Sequence, residues 1–357
     1  MRHYLFATQM LSVSLADSHR DPSLCAAATL IVEAVEMLVL GPGESGMQVR
    51  VTNSARSLIK GYQWNTRTQG LGGVLSWLSI LMELVDCVSF RQTIAWDPDT
   101  WGIDVSFPVH NSIAGNEELW THQIIHVCAK VSDLRASQPE SSGCTAKKRI
   151  EKWNLYNEWC NKWFASIPRS MLPLGNVQPW QRNPQSVFPQ VWLLEKSAVI
   201  SQMLFHLTRI MLIETDPLRE TRFELEEEQQ RHAYTICGIF SNDKNSGIPI
   251  FSVQVFGLAA AYLLDKKAQE EASATLHQVR LTTGLNTAHI REKLEETWGW
   301  HSPHQTSSST FDTVMPIEFQ ESESAAGYHD AGITEALSHP LADPESLLHQ
   351  DFHYNYP

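Results

Sequence analysis

The stretch Arg231–Trp300 reads RHAYTICGIFSNDKNSGIPIFSVQVFGLAAAYLLDKKAQEEASATLHQVRLTTGLNTAHIREKLEETWGW. It parses as helices separated by punctuation. A helix ends at Ile236-Cys237-Gly238-Ile239, and a Ser241-Asn242-Asp243 turn follows. Next come an apolar helix with Gln254 near its start, a charged helix, a break over 283–287, and a last amphipathic helix ending in Trp298-Gly299-Trp300. Glycine, asparagine and hydroxyl residues cluster at the breaks, as turn chemistry requires. Nothing in the stretch alternates with a period of two, so it is helical throughout.

The same rhythm continues upstream. Val74, Trp77, Leu78, Leu81, Leu84, Val85 and Val88 recur at three and four, which predicts a helix over 74–90 with one apolar face. Trp96-Asp97-Pro98-Asp99 stops it, because proline lacks the donor and disfavours helix just before itself. Further helices are expected over 117–134, over 147–167 with the stripe Ile150, Trp153, Tyr156, Cys160, Trp163 and Ile167, and over 191–213. Another covers 223–237, where early glutamates suit the positive end of the helix dipole. Two helices precede Leu40, broken at Asp21-Pro22-Ser23. The second carries Glu33 and Glu36, so that edge is expected to meet water. A short helix is expected over 54–62, loops over 138–146 and 176–186, and the best strand candidate is Val49-Arg50-Val51. The fold class is therefore all-α: a multi-helix array over residues 1–300, an α-solenoid-like bundle in its helix–loop–helix rhythm.

Charge divides the chain differently. Residues 301–357 hold nine Asp or Glu and no Lys or Arg, while 27 basic and 31 acidic side chains leave residues 1–300 at −4. The body is nearly neutral, and a net charge of −13 excludes a free-standing electrostatic grip on DNA phosphates. The tail cannot build a dense core and is expected to be disordered. Within it, acidic residues alternate with Phe311, Val314, Ile317 and Phe319, and a second cluster holds Leu347, Leu348, Phe352, Tyr354 and Tyr356. Such a segment suits either folding onto a coactivator groove, with Phe311, Val314, Ile317, Phe319, Leu347, Leu348 and Phe352 as the candidate contacts, or a solvating tail with no partner.

Cysteines at 25, 87, 128, 144, 160 and 237 contain no Cys-x-x-Cys pair, so they read as free thiols in a reducing compartment, with no zinc cluster. The start MRHYLFATQMLSVSLA resembles a signal peptide weakly, since Thr8 and Gln9 interrupt its apolar core. Residues 248–264 fall short of a bilayer span and read as a buried helix.

Local motifs lack the context their chemistry needs. Gly41-Pro-Gly-Glu-Ser-Gly46 matches the dinucleotide pattern but lacks the flanking strand and helix, and Met47 spoils a nucleophile elbow. His122 and His126 share a helix face, but Gln123 stands where a zinc protease needs its glutamate. Asp97 and Asp99 flank a proline, poor geometry for a Mg²⁺ pair. Glu226-Glu227-Glu228 reads as a solvated helix start, Lys147-Lys148-Arg149 as a helix face or a weak nuclear-import signal, and His301 and His304 as solvated. The tryptophans could line a ligand pocket, but at helical spacing they read mostly as core.

Four segments together resemble a known family. These are Trp153–Pro168 (WNLYNEWCNKWFASIP), Phe188-Pro189-Gln190-Val191-Trp192, the run His206–Leu212, and the opening stretch 231–300. Their order over 147–300 is similar to the regulatory, or middle homology, domain of fungal zinc-cluster transcription factors. Each motif is modest; their order carries the resemblance. The chain departs from the family in lacking its six-cysteine cluster, basic linker and coiled coil, and in having Leu285 where an aromatic is commoner. The resemblance implies a non-catalytic nuclear module that regulates transcription, with coactivators or the transcription machinery, a partner regulator or a second copy as partners, and no membrane. DNA would be reached only indirectly or through an N-terminal domain. It implies no cofactor in this chain; zinc would enter only with an upstream cysteine cluster. An all-α enzyme, a small-molecule-binding protein and a non-catalytic scaffold are the alternatives.

Overall fold

A computed structural model describes residues 2–17, 19–39, 55–107, 117–137, 146–181, 186–217, 222–243 and 250–300. The glycine run 41–46, Val49–Val51, Cys144, His301, His304 and the seven tail positions from Phe311 to Phe352 lie outside the described residues. Residues 1–303 form one compact unit.

The fold is all-α. Helices α1 (Arg2–Ala16) and α2 (Pro22–Val39) form a hairpin, followed by α3 over residues 55–61 and α4 (Leu71–Phe90). Then come α5 (Glu117–Ala136), α6 (Ala146–Ser166), α7 (Lys196–Glu214) and α8 (Arg222–Asp243). The array ends with α9 (Ile250–Ala260), α10 (Lys266–Thr283) and α11 (Ala288–Thr297). The only strands among the described residues are β1 (Gly175–Val177) and β2 (Gln190–Trp192), paired antiparallel with Gly175 opposite Trp192.

Helix α7 is the axis of the array. Thirteen of its residues, from Ala198 to Ile213, are buried, on all sides of the helix. A helix that is apolar all round belongs inside, and α5, α6, α8 and α9 each pack against this one. A smaller cluster, with Ala26, Leu30, Ala55, Leu75, Met82 and Val85, joins α2 and α3 to α4. Helix α4 is long and apolar enough to cross a membrane, but two thirds of it is buried inside the fold. The outermost helices read plainly: α10 buries Ala268, Ala272, Leu276 and Val279 along one stripe, and Asp265 caps it by accepting from Ala268 N at 3.0 Å.

Several expectations need correction. Helix α8 does not end at Ile236–Ile239 but runs on to Asp243. Gly238 is buried within it because a Cβ there would strike the Pro189 carbonyl oxygen, so the glycine serves close approach rather than termination. Residues 190–192 form a strand, and α7 begins only at Lys196. The edge of α2 is inverted: Glu33 and Glu36 are each 1% exposed, whereas Leu24 and Ile31 face out. Small neighbours Ala26 and Thr29 bring that face against the rest of the fold, and Tyr4 OH donates to Glu36 from α1. Val74, placed on the apolar face of α4, is 62% exposed.

Candidate functional site

Among the described residues, a concave surface lies between α3, the loop after it, the N-terminal half of α4 and the loop 94–101. It is a cleft of about 220 Å³ whose walls include Trp64, Ile80, Trp96 and Trp101, with Lys60, Asn65 and Asp97 on its polar side. Two adjacent glycines shape it. A Cβ on Gly72 would meet the Trp64 ring at 3.0 Å, and one on Gly73 would strike the Thr68 carbonyl oxygen. Without side chains at 72 and 73, the loop 64–68 can lie directly on α4. On the opposite side, Asp97 caps a short 3-10 turn (Pro98–Trp101) by accepting from Asp99 N at 3.1 Å. Thr66 Oγ1 donates to the Trp101 carbonyl and ties the two loops together.

Charged groups hold this wall from behind. Glu83 accepts from Ala95 N at 2.7 Å and meets Arg56 at 3.2 Å, while Asp133 accepts from Ile94 N at 2.7 Å. Burial raises the Glu83 and Asp133 carboxyls above their ordinary range, against the pull of these partners. Asp86, buried beside Glu83, is pushed up to about 6 by burial and then by its neighbour's charge.

His122 and His126 do share a face of α5, but they are core side chains. His122 stacks flat on Trp77 with centroids 3.4 Å apart, and His126 meets Trp101 edge-on at 6.1 Å. Burial drives both imidazoles down to about 4. Asp97 and Asp99 converge on a cation from the protein itself: Lys130 Nζ lies 3.6 Å from Asp97 and 2.7 Å from Asp99. That hydrogen bond lowers Asp99. Because both aspartates are largely exposed, the pairs contribute little to stability.

A second polar cluster lies between α6, α7 and α8. His206 Nδ1 and His232 Nδ1 are 2.7 Å apart, so one donates and the other accepts. Glu228 stands 3.6 Å from His232 Nε2 and accepts from Arg209 Nη2 at 2.8 Å, and Arg209 Nη1 donates to Asn157 at 2.7 Å. Burial holds both histidines below their ordinary value, and His232 and Arg209 hold Glu228 down at about 2. Glu228 thus turns inward, unlike the solvated residue the Glu226–Glu228 run suggests. The cluster ties α6, α7 and α8 to one another.

Among the described residues, no three His, Cys, Asp or Glu side chains converge as metal ligands. Cys25, Cys87, Cys128, Cys160 and Cys237 are free and buried. Lys147 and Lys148 are exposed at the start of α6, while Arg149 Nη1 donates to the Ser137 carbonyl at 2.9 Å. The sequence pattern missed the cleft because its tryptophans come from separate loops; the Gly72-Gly73 pair was the only local sign of a close approach. Compared with models of known protein families, with curated proteins and with solved structures, the chain matches none.

Proposed function

We propose that this chain is a regulatory module of transcription of the fungal zinc-cluster type, acting in the nucleus without catalysis of its own. The observation that supports this reading is convergence. The segments that carry the family resemblance are separate in sequence but touch one another in the fold. Trp153 Nε1 of the Trp-rich helix donates to the Leu212 carbonyl at 2.9 Å, Phe188 meets Tyr234 at 5.6 Å, Pro189 lies against Gly238, and His206 bonds to His232.

On this reading the helical body receives a signal, and the acidic-apolar segment beyond residue 300 contacts coactivators through Phe311, Val314, Ile317, Phe319, Leu347, Leu348 and Phe352. DNA is reached through a partner regulator or an N-terminal zinc cluster. Fusing the full chain to an unrelated DNA-binding domain tests this in a reporter strain. Output above that of the DNA-binding domain alone, lost when the seven tail residues become serine, is expected. Output equal to the bare DNA-binding domain would overturn the activator role. The tryptophan-walled cleft favours a second reading, a small-molecule-binding protein, which is compatible with the first if the module responds to a ligand.

A further inference from the structure

Helix α2 is inside out. Its two charged residues, Glu33 and Glu36, are buried, while Leu24, Ile31 and Val35 face water. With half-buried Ala28 between them, these residues follow one another at four, three and four positions, the spacing of a seam that pairs one helix with another. Helix α1 repeats the pattern: Phe6, Met10 and Val13, at four and three, are exposed. Tyr4 OH on Glu36 and Cys25 Sγ on the Ser14 carbonyl, at 3.9 Å, pin the hairpin, so Phe6 stands near the level of Val35 and Val13 near that of Ala28. Six of the 19 large apolar side chains exposed among the described residues thus lie on these two helices. Such an inversion is unfavourable in water and is relieved when the outward face is covered.

Charge and area select what covers it. Helix α2 holds no Lys or Arg, and both its carboxylates are buried. Ala27 and Ala34 stand beside the seam, where paired helices ordinarily carry the charges that choose a partner. A basic or acidic peptide finds no complement on this face, and an anionic membrane finds no row of cations. An uncharged apolar seam is complementary to itself, as a two-fold interface between identical chains requires. The six side chains leave on the order of 600 Å² of apolar surface exposed, most of the ~800 Å² that each partner buries in a stable complex. We propose that the chain forms a homodimer through the outward face of the α1–α2 hairpin, with Leu24, Ala28, Ile31 and Val35 of one copy packed on the same seam of the second.

Light scattering after size exclusion of the purified full chain, at about 1–100 µM, reads the mass and covers the weak end of affinities for an interface of this size. It does not depend on the transcription reading, so failure of one leaves the other standing. A mass of twice 40.4 kDa is expected. Ile31→Glu should weaken the dimer at least about hundredfold and leave a single-chain mass, because it buries an unpaired charge in the seam. Ile31→Lys should act in the same way. Ile31 is 63% exposed in one copy, so the fold is spared, and an unchanged far-UV circular dichroism spectrum checks that. Leu281→Glu, on α10 and 67% exposed, should leave the dimer intact. A single-chain mass for the unaltered protein at about 100 µM would overturn the proposal. So would a dimer that both Ile31 variants leave intact, or one that Leu281→Glu abolishes as well.

Discussion

Removing the Glu214 carboxylate should destabilise the body more than any exposed ion pair could. Glu214 ends α7, where Oε2 accepts from Arg135 Nε and from Tyr262 OH, both at 2.8 Å, and Oε1 accepts from Arg91. Arg135 is nearly enclosed: its side chain is 9% exposed and also donates to the Val88 carbonyl at 3.0 Å. Glu214→Ala therefore strands a buried guanidinium. Breaking a fully buried pair costs about 3–5 kcal/mol. Glu214 keeps 19% of its surface, so water recovers part of that, and about 2–3 kcal/mol is expected. Arg91, more than half exposed, adds little. Arg135→Met alone should cost a similar amount. The double variant should cost less than the sum by about 1–2 kcal/mol, since neither charge is then left unpaired. Urea unfolding read by far-UV circular dichroism, at matched m-values, measures all four corners. A Glu214→Ala cost below about 0.5 kcal/mol, or strict additivity, would refute the buried-pair argument.

Three further outcomes follow from burial. Gly238→Ala should cost roughly 1–3 kcal/mol, because the new methyl strikes the Pro189 carbonyl and must part α8 from the strand segment; an unchanged urea midpoint would contradict that contact. Acid should destabilise the body: His122, His126, His206 and His232 titrate below 6.5 when folded, so the unfolded chain takes up protons first and stability falls from about pH 6.5 toward 4. Asp86 opposes this, since its raised carboxyl is protonated in the fold before it is in the unfolded chain. Asp86→Asn should accordingly stabilise at pH 7 by about 1–2 kcal/mol and steepen the acid fall; a urea midpoint that is lower at pH 7 would count against it. Burial lifts the thiols of Cys87, Cys128 and Cys160 to about 12, and Cys237 higher, so the native protein should leave these four unlabelled by a thiol reagent until urea opens it. Mass spectrometry that finds prompt labelling at Cys128 or Cys160 would contradict the core assignment.

Much of the fold was legible because helix periodicity survives in the outer elements. The stripe Tyr156, Cys160, Trp163 and Ile167, and the one from Ala268 to Val279, need only a period of 3.6 to be read. The misreadings share a cause: local pattern says which residues are apolar, not what lies opposite them. Glu33 and Glu36 look like a water-facing edge, yet both are buried, and α1 brings Tyr4 against Glu36. Gly238 looks like a helix stop until Pro189 arrives from 49 positions upstream. Val191 looks like the start of a helix until its neighbours pair with Gly175 and Val177. The cleft was less legible still, since Trp64, Trp96 and Trp101 meet only after two loops fold back on α4.

On the proposed reading this chain acts at promoters. Tagging it at its own locus and mapping its chromatin occupancy, alongside transcript levels in a deletion strain, tests that most directly. Discrete occupancy at promoters whose transcripts change on deletion is the predicted result. Occupancy no different from an untagged control, with the protein folded and present, would overturn the promoter role.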